Sequence, residues 1–206
     1  MTYYGGKELA TSFRTVRTNT IQIAEEIPEE SYSFKPSPDS RSIGQTLSHI
    51  GVASAFQSYV HQNHIDSMTK VNFPELIQKT RTEEERPRTK EEIIAFLKAE
   101  GDKFATYLES LPESFLSQSV AMMPGTQPAA KSRLELLMSA KEHEMHHRGQ
   151  LMLIERMLGI TPHLTRERGR QQGSTNKCSP SYTRRGVETK KAGAVEASSC
   201  SRGYFP

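Results

Sequence analysis

His143-Glu144-Met145-His146-His147-Arg148-Gly149-Gln150-Leu151 sits inside a longer run from Leu134 to Leu158. Outside the cluster the run keeps a helical period, with apolar residues at Leu137, Ala140, Leu151, Ile154 and Leu158. Carried through the middle, the same spacing puts Glu144 and His147 on the apolar seam, with His143 one turn before His147. Burying such groups without partners costs roughly 1–3 kcal/mol each, so these positions demand partners, and a metal ion is the simplest one. Residues four apart on a helix have Cβ atoms about 6 Å apart on one face. Two imidazoles there can reach one ion at roughly 2.0–2.1 Å. His146 lies about 100° around the helix from His147 and points elsewhere. The plain alternative is a pair of core or surface histidines without metal.

Three further segments share the helical period. Leu9, Phe13, Val16, Thr20, Ile23 and Ile27 step by four and three, predicting a first helix over about 7–27 that Pro28 stops. A second starts at Ser40 or Ser42, either of which can cap it, and runs to about residue 62 with Ile43, Leu47, Ile50 and Ala53 as its stripe. His49 flanks that stripe in line with Ala53, Phe56 and Val60. Alone it reads as a core histidine bonded to a backbone carbonyl; beside a His pair spaced by four it becomes the candidate third ligand. A third helix opens on the capping-box pattern Thr89/Glu92 and ends before Pro112, with Gly101 allowing a close approach. Ser132/Glu135 repeats that pattern ahead of the fourth helix, which Gly159 and Pro162 end.

The connections are long. Residues 31–40 are an irregular crossing with two prolines, and 65–88 form a loop with one short helical turn near 74–79. The run 81–88 reads as charged and exposed. Residues 120–130 form another loop with a short extended piece. His61 and His64, in a polar exit from the second helix, read as solvated. The expected fold is all-α: a four-helix bundle with long crossover loops over residues 1–164, followed by a disordered C-terminal tail, 165–206.

Composition agrees with that division. Apolar content is 34% and mean hydropathy −0.64, low for a chain packed throughout. The net charge of +3 is uneven: residues 165–206 carry nine Lys/Arg against three Asp/Glu, leaving the body at −3. A mildly acidic body is not a nucleic-acid surface by charge, and a basic tail is most simply a solvated end. No apolar run is long enough to span a membrane. The N-terminal residues lack the plan of a secretory signal, so a cytoplasmic location is expected. Cys178 and Cys200, both in the tail, make neither a disulfide framework nor a zinc site.

His143-Glu144-Met145-His146-His147 also matches HExxH, the zinc-hydrolase helix in which Glu144 would act as general base. Gln150 and Leu153 stand where the extended motif needs Gly and a third His, and no convincing downstream glutamate ligand follows. A di-iron site needs a second Glu-x-x-His motif, which is missing. A mononuclear site with three His ligands and open positions fits better. Structural zinc sites are closed by four protein ligands; Glu144 as a fourth would favour a non-catalytic metal-binding module.

Ser42-Ile-Gly-Gln-Thr-Leu-Ser-His49-Ile and His143-Glu-Met-His-His147-Arg-Gly-Gln-Leu151, followed by Leu158-Gly-Ile, together with the Phe34-x-Pro36 crossing, resemble the DinB-like (DNA-damage-inducible) metal-binding four-helix bundle family. The resemblance covers about residues 7–164. It implies a divalent metal, zinc or nickel, on His49, His143 and His147, and a homodimer. It also implies chemistry on a small-molecule substrate, including S-transfer from a low-molecular-weight thiol. In the catalytic reading Glu144 orients a ligand histidine or moves a proton, unless Arg148, one turn on, pairs with it.

Overall fold

Local signals at the ends and an apolar stripe along the middle make each helix. In chain order the elements are α1 (Gly6–Glu26), α2 (Ile43–Gln62), α3 (Phe73–Glu84), α4 (Lys90–Glu109), α5 (Glu113–Leu116), strands β1 (Ser119–Ala121) and β2 (Ala130–Ser132), α6 (Arg133–Met157) and α7 (His163–Thr175). The computed structural model describes residues 4–175. The chain divides into units 1–169 and 170–206, the second described only through the end of α7.

Reciprocal capping boxes start α2 (Ser42 with Gln45) and α4 (Thr89 with Glu92). Ser132 caps α6 by accepting from the Glu135 amide, while the Glu135 carboxylate pairs with Lys131 instead. Gly159 ends α6 at φ +79°, a left-handed conformation that costs glycine little, and Ile160 N–H closes back on the Glu155 carbonyl.

The four long helices form the expected bundle: α1 and α2 each pack against both α4 and α6. Its interior is two apolar layers with a polar layer between them. One apolar layer gathers Ile23, Ile27, Ile43, Leu47, Ile50, Leu97, Leu151 and Ile154. The other gathers Leu9, Phe13, Phe104, Leu108, Leu137 and Ala140. Between them on their helices lie Arg17, Gly101, Glu144 and His147. The 120–130 loop contains the expected extended piece, as β1 and β2 pair antiparallel.

Three expectations change. The 65–88 connection holds a three-turn helix, α3, capped by Asn72, with Pro74 in its first turn. Only Leu76 is buried on it, so its apolar signal was too thin to read. His61 is fully buried, not solvated. Its Nδ1 accepts from Arg133 and its Nε2 donates to Gln57, under the Phe115 ring of α5. Burial first, and the adjacent Arg133 charge second, push its pKa down to about 4, so it stays neutral. Finally, residues 165–175 are helical where disorder is expected. Arg166 pairs with Glu26 and Arg156 bonds Thr165, contacts that composition cannot reveal. The rest of the expected tail, with both cysteines, lies outside the described residues.

Candidate metal centre

His49 comes from α2, and His143 and His147 from successive turns of α6. Their ring centroids are 5.1 Å (49–143), 4.8 Å (49–147) and 4.6 Å (143–147) apart. One ligating nitrogen from each lies within 4.8 Å of the others. His147 is buried, His49 half-buried and His143 the most open.

Hydrogen bonds fix which nitrogens face inward. His49 Nδ1 donates to Glu84 Oε2 at 2.8 Å, and Glu84 Oε1 accepts from Arg41 at 2.6 Å. His147 Nδ1 donates to Gln150 Oε1 at 2.8 Å, and the Gln150 amide donates to His146 at 3.1 Å. With both Nδ1–H groups engaged, His49 and His147 each present an Nε2 lone pair on the other side of the ring. His49 Nε2 stands 2.9 Å from His143 Nε2. Donors on a tetrahedral ion at roughly 2.0–2.1 Å sit about 3.3 Å apart, so this pair would open by a few tenths of an ångström to share one.

Electrostatics disfavour protonation of the two α6 histidines. Burial pushes the His147 pKa down to about 4, with the neighbouring His49, His143 and His146 adding to it against the Gln150 bond. Burial and His49 lower His143 likewise. Burial alone would raise Glu84, but its bonds from Arg41 and His49 outweigh that and hold it below the usual carboxylate range. Neutral imidazoles backed by an ionised carboxylate suit a divalent cation.

Glu144, expected as the catalytic carboxylate, is bonded to a residue outside the histidine cluster. It is 1% exposed, and its two oxygens accept from Arg17 Nε at 2.9 and 3.1 Å and from Arg17 Nη2 at 2.9 Å. Arg17 also donates to the Leu97 and Ile50 carbonyls. The carboxylate that the sequence offers as general base is thus spent on a buried ion pair joining α1 to α6, and Arg17, not Arg148, is its partner. The Arg17 side chain runs across Gly101, where a Cβ would fall 2.8 Å from its Cγ; this is the close approach that glycine allows. Sequence reasoning also missed Glu84 and Gln150. Gln150 follows His147 by one turn, a local signal; Glu84 lies 35 residues from His49 and carries none.

Two clefts open beside the histidines, both bordered by His49 and Glu84. One, of about 440 Å³, includes Phe56, Phe73, Ala53 and His143. The other, of about 990 Å³, includes Arg41, Arg81, His146, His147 and Gln150. Among the described residues no helix is long and apolar enough to cross a membrane.

Comparison with known proteins agrees with this architecture. The uncharacterized protein YjoA of Bacillus subtilis (strain 168) is 27% identical over 154 residues, 75% of this chain and 91% of its own length. The crystal structure of that DinB-like protein superposes with a TM-score of 0.56 at 24% identity, over 75% of this chain and 93% of that one. YfiT from Bacillus subtilis, described as a probable metal-dependent hydrolase with an unusual four-helix bundle topology, gives 0.58 at 11% identity, over 76% and 89%. An uncharacterized protein from Clostridium difficile 630 gives 0.56 at 13%, over 76% and 98%. At these identities the structural likenesses speak for the fold. The model describing the DinB family matches residues 1–178, which takes in both histidine-bearing helices, and the chain belongs to the DinB family.

Proposed function

We propose that the protein is a metal-dependent enzyme whose divalent cation, zinc or nickel, is held by His49, His143 and His147, and that it transfers a low-molecular-weight thiol to an electrophilic small molecule. The observation behind this reading is the convergence of three imidazoles, two of them oriented through Nδ1, on a point flanked by two clefts. A cation there supplies a positive charge that lets a neighbouring thiol or water lose its proton near neutral pH. Three protein ligands leave coordination positions open, as catalytic sites do. Glu84 and Gln150 hold His49 and His147 in their binding tautomers, and burial keeps protons from competing for the His147 nitrogen. In the transfer, the thiol proton passes to solvent, a carbon–sulfur bond forms, and the leaving group departs with the electron pair of its bond to carbon. A homodimer in the cytoplasm is part of the same reading.

A second reading, hydrolysis with water in place of the thiol, is favoured by the description of YfiT. HExxH general-base chemistry is not part of it, because Arg17 occupies Glu144.

The test combines metal analysis with turnover. Purified protein should carry about one divalent ion per chain, and His49→Ala and His147→Ala should each lose it. A thiol-conjugation assay with 1-chloro-2,4-dinitrobenzene should then respond to metal removal, and ester hydrolysis without thiol would shift the assignment to hydrolase. Full metal retention in both variants, or full turnover after chelation, would refute the reading.

A further inference from the structure

Beside the histidines the chain leaves a slot open between α2, α3 and α6. The α2 wall is Ala53 and Phe56, the α3 wall is Phe73 and Ile77, and the α6 wall is Ala140, with His49 and His143 at one end. Ala53 lies one turn after His49, and Ala140 three residues before His143. Each histidine therefore has a small side chain beside it on its own helix, which is what keeps the slot open. Phe56 and Phe73 stack on each other with centroids 6.0 Å apart and planes 25° from parallel, presenting a flat apolar side. Ile77 is 60% exposed at the rim, an unusual place for a large apolar side chain. At about 440 Å³ the slot is in the range of small-ligand pockets.

Its polar groups are already engaged. Glu84 is bonded to Arg41 and His49. Gln57 donates to Ser139 while accepting from His61, and Ser139 donates to the Leu136 carbonyl. A charged arm entering here would give up its water and find no free counter-charge, whereas an apolar arm would gain by burial.

We infer that this slot is the specificity pocket of the site, and that the substrate carries a neutral aryl or branched-alkyl arm seated between Phe56, Phe73 and Ala53 while its polar head reaches the histidines. The inference rests on the metal-site reading above but is tested apart from it. The probes are acetohydroxamate and phenylacetohydroxamate, titrated against the cobalt-loaded full chain and followed by the cobalt visible spectrum. Phenylacetohydroxamate should bind at least about tenfold more tightly, since a phenyl group is buried only in its complex. Its analogue with a para-carboxylate on the ring should lose that advantage. In Ala53→Leu, a half-exposed position where the larger side chain fills the slot without invading the core, the advantage should fall below about threefold. Ile77→Ser should lower it partially.

Benzyl alcohol titrated into metal-free protein provides a readout that needs no metal. It should shift the amide resonances of Phe56, Phe73 and Ala140 in the wild type and not in Ala53→Leu. Failure to take up cobalt with the benzyl alcohol shifts intact would overturn the metal reading and leave the slot standing. Equal affinity for the two hydroxamates, an undiminished advantage in Ala53→Leu or for the carboxylate analogue, or absent amide shifts would overturn the pocket.

Discussion

Replacing Arg17 with methionine tests the mid-bundle layer most directly. The substitution removes all three contacts to Glu144 and leaves a carboxylate that is 1% exposed with no counter-charge from α1. Breaking a buried pair from one side typically costs about 3–5 kcal/mol, because the survivor stays desolvated. The lost bonds to the Leu97 and Ile50 carbonyls add little, since both carbonyls lie inside helices and belong to the backbone ladder. Packing changes are also small, as methionine retains much of the stem that crosses Gly101. The expected loss is thus about 3–5 kcal/mol, a large share of a typical domain's stability. Urea denaturation of chelator-treated protein, followed by far-ultraviolet circular dichroism, measures it free of any metal contribution. The companion variant Arg17→Met/Glu144→Leu makes the seam apolar through α6 and should return to within about 1 kcal/mol of wild type. If the single variant lost less than about 1 kcal/mol, or the double were as unstable as the single, the pair would not be what holds this layer. The double variant should also bind metal at wild-type stoichiometry; a folded, metal-loaded double variant without turnover would return Glu144 to the chemistry.

Glu84→Ala removes the acceptor of His49 Nδ1–H without touching a proposed ligand, so metal affinity should fall about 10- to 100-fold with helix content unchanged; competition against a zinc chelator measures it. Glu155 is fully buried with no partner for either oxygen. Burial first, then the charge of Glu26, raise its pKa to about 7. An acid whose folded pKa is raised binds more protons folded than unfolded, so its ionisation drains stability as pH climbs from about 4.5 to about 7. Glu155→Gln should therefore stabilise by on the order of 1–3 kcal/mol at pH 8 and little at pH 4, as read by urea midpoints; equal effects at both pH values would refute this. At Gly51 a Cβ would fall 2.3 Å from Phe96 Cε1 across the α2–α4 contact, so Gly51→Ala should cost about 1–3 kcal/mol, seen as a lower thermal midpoint.

What the sequence discloses here is what is decided locally. Thr89/Glu92 and Gly159 mark helix ends because their partners lie within a few residues, and Ser42 is one of two candidates for the start of α2. The four seams are legible because burial imposes the helical period on them. Contacts that cross the chain leave no such trace. Glu84 meets His49 across 35 residues and Glu144 meets Arg17 across 127. Helix α3 was unreadable for a related reason: one buried residue cannot write a stripe, and its far end is tied down through Glu84 to Arg41 and His49. His61 misled in the opposite sense, since the residues that follow it are polar while the groups that cover it, Phe115 and Arg133, come from far along the chain.

The seam of α6 sets the limit of such reading most clearly. Periodicity places Glu144 and His147 alike among core positions and requires a partner for each, without saying which. An acid can be satisfied by a cation from within the chain, and Arg17 meets Glu144 in that way. His147 is held neutral by burial, so a counter-ion gives it nothing, and its Nδ1 is already engaged by Gln150. Its remaining nitrogen faces two other imidazoles, His143 lowered like it and His49 bonded through Nδ1 to Glu84. With two Nε2 groups bearing only lone pairs, the single Nε2–H that His143 can offer serves one of them, and it stands 2.9 Å from His49 Nε2. The case for a cation at this point is therefore a case by difference: the acid on the seam has its partner in the chain, whereas the one Nε2–H of His143 serves His49 and leaves the His147 lone pair over.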